Sequence, residues 1–210
     1  MLVVVGVVLL LVTLFAFVNP PITHTIWTEG RENVPVQREW VALEQIAPVL
    51  ARSVVAAEDA NFCLHWGIDI EAVRDAIAEG GNRGGSTISQ QVVKNVFLWQ
   101  GRSWLRKALE TTLTPLVELI WSKRRIVEVY LNVAEMGRGV FGAQAAAQAY
   151  FGVDAAKLTP QQAALIAAVL PSPKTRNPAK PSNSMRKRAR GIADGAETIR
   201  HDGRAACFED

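Results

Sequence analysis

The sequence predicts a mainly α-helical protein built around one principal core. Three observations carry this: apolar residues recur at helical spacing along most of the chain, capping patterns of Thr with Gln three residues on precede apolar runs, and runs of strand alternation are few. With 210 residues the chain can bury one good core and a small second lobe, but not two independent catalytic domains. The formal net charge of +3 is modest, yet the cations gather at Arg102 to Lys107, Lys123 to Arg125 and Lys174 to Arg190. Such clusters suit an anionic partner and equally fit a solvated basic face. The two cysteines, Cys63 and Cys207, lack the spacing of a metal site or redox pair and are too few for a disulfide framework. Cys63 reads as a small buried filler.

Taken in order, the first element is an apolar run from Leu2 to Val18 with Thr13 as its only clearly polar residue. Its length is near the ~20 residues that cross a bilayer, so residues 1–19 are expected to form a transmembrane anchor. A cleaved signal peptide competes, but a basic leader and an Ala-x-Ala exit are missing. No Lys or Arg precedes the run, so charge does not orient it. Residues 20–36 read as an extended linker. Ala42 to Ala57 then has helical spacing and delivers Glu58 and Asp59 at a helix end. Asp69 is the expected N-cap of a helix from Ile70 to Glu79 closed by Gly80, leaving His65 and Gly67 in the connection.

Gly80 to Gly85, with Asn82 and Arg83, reads as a flexible loop. It runs into the capping box of Thr87 and Gln90, which opens a helix carrying Gln91, Lys94 and Asn95. Trp99 and Trp104 bracket Arg102, a composition typical of a surface at lipid-headgroup depth and also of core packing. A long helical region from Ser103 to Tyr130 is kinked or divided by Pro115. Ala143 to Tyr150 forms a helix closed by Gly152, and Thr159 with Gln162 caps another through Leu170. A proline-rich loop leads to a basic C-terminal segment, 183–210.

Two polar blocks stand out from this apolar background. Glu58, Asp59, Asn61, Phe62, His65 and Gly67 put carboxylates and an imidazole beside an aromatic, surroundings that tune a general acid or base. Gly85 to Gln91, with Lys94 and Asn95, joins a glycine loop to a helix start with a lysine one turn in, which suits a phosphorylated ligand. Other motifs do not lead to chemistry. Gly137-x-Gly139-x-x-Gly142 matches a dinucleotide fingerprint, but the strand–helix alternation that fold requires is missing, so it reads as a turn allowing close backbone approach. Ser184-Met185-Arg186-Lys187 has no Lys-Thr-Gly after it. No nucleic-acid-binding module is recognisable.

Five ordered blocks between about Val34 and Pro181 carry a specific resemblance. They are Glu58-Asp59-x-x-Phe62-x-x-His65-x-Gly67-x-Asp69, Gly85-Ser86-Thr87-Ile88-Ser89-Gln90-Gln91-x-x-Lys94-Asn95 and Arg106-Lys107-x-x-Glu110, then Arg125-Ile126-Val127-Glu128-x-Tyr130-Leu131-Asn132 and the glycine motif running to Tyr150-Phe151-Gly152. In these the chain resembles the monofunctional peptidoglycan glycosyltransferases, glycosyltransferase family 51, the transglycosylase domain of penicillin-binding proteins. The resemblance implies a lysozyme-like helical lobe, a smaller membrane-proximal jaw lobe at about 82–115, and a glycosyltransferase domain spanning 37–182. It implies polymerisation of lipid II by inverting β-1,4 transfer with release of undecaprenyl pyrophosphate. Glu58 and Glu110 would be the catalytic carboxylates. Phe62, Ser86, Thr87, Gln90, Gln91, Lys94, Asn95, Arg106 and Lys107 would bind substrate, with Lys94, Arg106 and Lys107 on the pyrophosphate. Glu110 would share a divalent cation, Mg²⁺ or Mn²⁺, with the substrate pyrophosphate.

The implied partners are lipid II, the growing undecaprenyl-pyrophosphoryl glycan, the bilayer and division-machinery proteins, without nucleic acid. The implied location is the inner membrane, single-pass, with the catalytic domain periplasmic. Competing readings stay open: a lytic, lysozyme-like enzyme that cleaves glycan, or a non-catalytic membrane-anchored division scaffold. Arg106 with Glu110 also fits a simple i, i+4 helix pair. Asp59, His65, Glu128, Tyr130 and Asn132 read as structural.

Overall fold

The computed structural model describes residues 2–32, 35–78, 85–101 and 103–209. The expected loop at 80–84, including Asn82 and Arg83, and the interfacial reading of Arg102 lie outside the described residues. The first helix, α1 (Leu2–Phe17), has 16 residues. At ~1.5 Å per residue that is roughly 24 Å, short of the ~30 Å hydrocarbon core. Among the described residues no helix is long and apolar enough to cross a membrane, so the expected span over 1–19 is not met. The far half of α1 packs onto the body instead. Val12 is fully buried, Trp121 Nε1 donates to its carbonyl at 2.8 Å, and the Phe15 and Phe97 rings stand 6.0 Å apart.

The expected linker is also corrected. It contains α2 (His24–Arg31), capped by the Thr23 hydroxyl, which accepts from Ile26 N–H at 3.3 Å. Thr23, Ile26 and Glu29 are buried, so this segment belongs to the body of the protein. After it, β1 (Gln37–Arg38) pairs in parallel with β3 (Val140–Phe141), and β3 pairs antiparallel with β2 (Glu135–Gly137), in the order β1-β3-β2. The glycine motif shapes this turn: Gly142 has φ +85° and a Cβ there would lie 3.0 Å from the Asn132 carbonyl oxygen.

The helical body comprises α3 (Pro48–Glu58), α4 (Ile70–Ala78), α5 (Ile88–Phe97), α6 (Trp104–Ile120), α7 (Lys123–Val133), α8 (Ala143–Phe151), α9 (Pro160–Val169), α10 (Asn183–His201) and α11 (Ala206–Glu209). Local signals set most boundaries. Thr87 and Thr159 form capping boxes with Gln90 and Gln162, and Gly152 ends α8 in the left-handed conformation. Pro115 does not divide α6, which is continuous through it; the break falls at Trp121, where the Ser122 hydroxyl accepts from Arg125 N–H at 3.1 Å and starts α7. A local cap thus outweighs the missing proline donor.

Ala-rich α9 is buried on all sides and forms the middle of the core, with α3 and α10 against it. The basic C-terminal segment is therefore no appendage. Met185, Ala189, Ile192, Ala196 and Ile199 of α10 and Phe208 of α11 are all core residues. A disulfide between Cys63 and Cys207, 144 residues apart in sequence, fastens α11 beside the turn that follows α3, correcting the reading of Cys63 as a lone filler. Arg52 reinforces the join through Glu209 at 2.7 Å. Replacing both cysteines by Ala is expected to lower unfolding free energy by about 2–4 kcal/mol. Denaturant unfolding of the variant against oxidised wild type measures this, and equal midpoints would show the bond to be idle.

Candidate active site

Glu58 is the last residue of α3, and the chain turns sharply at Asp59. Asp59 is 7% exposed and joins three pieces of backbone. Its Oδ2 accepts from Ile88 N–H, at the start of α5, at 2.9 Å. Its Oδ1 meets His65 Nε2 at 2.8 Å. Gly67 N–H donates to His65 Nδ1 at 3.1 Å, which places the ring proton on Nε2, facing Asp59. Gly67, at φ +81°, leaves no room for a side chain, since a Cβ would meet Thr114 Cγ2 at 2.5 Å. Asp69 completes the turn by accepting from Ala72 N–H and Asn61 Nδ2. Asp59, His65 and Asp69 have the spacing of a metal cluster. Their acceptors are nonetheless taken up by these hydrogen bonds, so the group is a latch between α3, α4 and α5.

That latch presents Glu58 to one face of α5. Gln91 Nε2 donates to Glu58 Oε2 at 3.0 Å, and Gln91 Oε1 accepts from the Tyr130 hydroxyl at 3.2 Å. The half-buried carboxyl is held above the ordinary glutamate value of 4.5 by burial. The Gln91 hydrogen bond and the charges of Arg188 and Lys94 pull it down, and Asp59 pushes it up. Lys94, one turn along α5, is shifted below 10.5 by burial; the carboxylates of Glu110 and Glu58 oppose this, while Arg106 and Lys107 add to it. Glu58 and Lys94 thus share one electrostatic environment, which the cations of α6 complete.

Glu110 is 2% exposed and pairs with both Arg106 and Lys107. Arg106 Nε also donates to the Gly101 carbonyl at 2.9 Å, and Lys107 Nζ to Ser86 Oγ at 3.1 Å. The i, i+4 pair of Arg106 and Glu110 is therefore real, and it serves to aim two cations. This donor set does not fit a resident divalent ion: each Glu110 oxygen already meets a cation, and Glu110 belongs to no metal-spaced cluster among the described residues.

A cavity of about 550 Å³ opens beside these groups, lined by Gln91, Lys94, Asn95 and Tyr130 on one side and by α2 and Lys174 on the other. Of the sequence-predicted residues it gathers Gln91, Lys94 and Asn95 on its wall, with Glu58 directly behind Gln91. Thr87 and Gln90 are buried and occupied in capping α5, Thr87 also donating to the Gly67 carbonyl. Phe62 departs from expectation. It is fully buried, packed near Phe208 and under Lys123 Nζ at 4.2 Å from its ring centre, so it supports the turn from within. Asn132 is structural, bonding Val41 N–H and carbonyl at 2.9 Å each. Sequence reasoning missed Tyr130 as the anchor of Gln91, Arg188 on α10, and the α2 wall, for which the Thr23 cap was the available signal.

A carboxyl with a raised affinity for protons beside a cationic groove can accept a proton from a hydroxyl while an anionic group is held nearby. The arrangement has counterparts elsewhere. A family described as transglycosylase matches residues 25–197. Biosynthetic peptidoglycan transglycosylases are similar over most of their length: that of Jannaschia sp. (strain CCS1) is 62% identical over 95% of this chain and 84% of its own. Those of Caulobacter vibrioides and Rhodospirillum centenum are each 48% identical, over 93% and 98% of this chain and 87% and 92% of their own.

Carbon-13 NMR titration is expected to place the Glu58 midpoint above 4.5, because burial disfavours the charged form. Gln91→Ala should raise it further, since the N–H it removes favours the carboxylate. A midpoint that falls or stays fixed in that variant would reject the assigned contact.

Proposed function

The chain belongs to the transglycosylase family, and on that premise we propose that it polymerises peptidoglycan glycan from lipid II. The GlcNAc 4-hydroxyl of an incoming lipid II attacks the anomeric carbon of the growing chain. The new C–O bond forms as the bond to the undecaprenyl pyrophosphate breaks, with inversion, and the hydroxyl proton passes to Glu58. The observation that carries this reading is a half-buried Glu58, oriented by Gln91 and Tyr130, and Lys94 one turn beyond Gln91 on α5, near enough that each charge acts on the other. Lys94, Arg106 and Lys107 oppose the charge that grows on the departing pyrophosphate. Glu110 keeps Arg106 and Lys107 pointing at one place, and no step is routed through a metal. Ser86 and Asn95 border the sugar and phosphate path.

The reaction needs a membrane-borne substrate, and the exposed apolar surface supports contact with lipid. α1 exposes Val3, Val4, Leu10 and Phe17, and α6 exposes Trp104 at 91%, Leu105 at 65% and Leu119 at 73%. Trp99, by contrast, is half-buried against the core, so Trp104 alone of that pair serves the interface. In this reading α1 inserts in the inner membrane beside the jaw. The Cys63–Cys207 disulfide favours an oxidising compartment and hence a periplasmic catalytic domain. Division proteins remain partners by analogy.

Glu58→Gln is expected to reduce polymerisation of purified lipid II by roughly 10²- to 10⁴-fold, with an unchanged thermal melt. Polymer made at the wild-type rate would reject Glu58 as the base. Trp104→Ala combined with Leu105→Ala should weaken co-sedimentation with anionic liposomes by roughly tenfold or more. Unaltered partitioning would remove these residues from the membrane surface.

A further inference from the structure

The part of the cavity wall that comes from α2 and β2 is not used by the polymerisation chemistry. It is formed by Thr25, Thr28, Glu29 and Glu32 from α2 and its end, by Glu135 of β2, and by Lys174. Glu29 is 4% exposed; one of its oxygens is held by Lys174 Nζ, and Oε2 is buried without a hydrogen-bond partner. Glu135 Oε1 lies 3.9 Å from the same Nζ and is buried and likewise unpartnered. Burial holds the Glu135 carboxyl above the ordinary glutamate range; Lys174 opposes this and Glu29 adds to it. Three carboxyl groups, Glu29, Glu32 and Glu135, stand here against one cation among the described residues, Lys174, so this wall carries a formal excess of acid.

Leaving a carboxylate oxygen buried with no donor is costly, because the group has lost water and gained nothing in its place. Two such oxygens beside one cavity mark a place where a ligand donates. The cavity is also polarised, with Lys94 on the α5 wall and excess negative charge on the α2 wall, so its occupant should be cationic at one end and anionic at the other. A sugar hydroxyl would supply a donor but leave the charge uncompensated. An ammonium group supplies both.

We propose that Glu29 and Glu135 form a subsite for a primary ammonium group carried by the same substrate whose phosphate meets Lys94. The amine belongs either to a sugar ring or to a peptide side chain. The proposal deepens the polymerisation reading and rests on it for the identity of the substrate, while the chemistry it reads is set by the wall itself.

The test is calorimetric titration of the full chain in detergent with two matched pairs of probes. One pair is chitosan tetrasaccharide against its fully N-acetylated form. The other is lipid II with a free side-chain amine on its peptide against the same lipid II acetylated at that amine. Wild type is expected to bind the free-amine member of one pair about tenfold more tightly, the scale of a charge-assisted hydrogen bond, and the pair that responds identifies the source of the amine. Glu29→Gln and Glu135→Gln should each reduce that preference to about twofold or less. Equal affinities within both pairs for wild type, a comparison that needs no variant to fold, would overturn the subsite. So would a preference that survives both substitutions in variants with wild-type melting curves. Polymerisation of the free-amine lipid II by wild type is followed in parallel, because its absence counts against the polymerase reading while a binding preference in either pair still stands.

Discussion

Asp59 joins the end of the helix that carries Glu58 to the start of the helix that carries Gln91 and Lys94. Its carboxylate takes the Ile88 N–H, one of the donors that a helix start leaves without an internal partner, and it does so where the helix dipole favours negative charge. His65 holds the other oxygen, and the Lys123 ammonium secures the His65 carbonyl at 2.8 Å while reaching Glu118 at 2.9 Å. Ser89 of α5 bonds that same Glu118. The Glu58 carboxyl is thus placed by a polar network of Asp59, His65, Lys123, Glu118 and Ser89. Moving α5 by a fraction of a turn would leave Glu58 in the chain but separate it from Gln91 and Lys94.

Charge in the groove is arranged by the same economy of position. Glu110 sits between Arg106 and Lys107 and keeps two long side chains from dispersing into solvent. Lys94, half-buried and repelled by both, is held below the ordinary lysine value, chiefly by burial. The acidic residues of the cavity come from α2 and β2, whereas Lys94 comes from α5.

Much of this was legible because it is local. The capping boxes at Thr87 and Thr159, the left-handed Gly152 and the placement of Glu58 at a helix end each depend on residues within a turn of one another. The polar blocks were recognisable as a site because carboxylates, amides and lysine at such spacing have little use in a core. Other features were hidden for a common reason. Phe62 was read as a substrate contact, but its burial depends on Phe208 and Lys123, far along the chain. Tyr130 reaches the site through Gln91, 39 residues away in sequence, whose Oε1 accepts from its hydroxyl at 3.2 Å. The break at Trp121 is set by the Ser122 cap of α7 and not by the proline within α6.

The amino-acid sequence by itself determined the helical class, most helix ends, the family and the two polar blocks, since periodicity, capping and motif spacing are written in consecutive residues. The tertiary structure decided what those residues meet: the Cys63–Cys207 bond, α10 as part of the core, Glu110 bound to its two cations, and α2 as the wall of the cavity. Each of these pairs groups from separate elements, and only the packing of helices around α9 brings them within hydrogen-bonding or covalent distance.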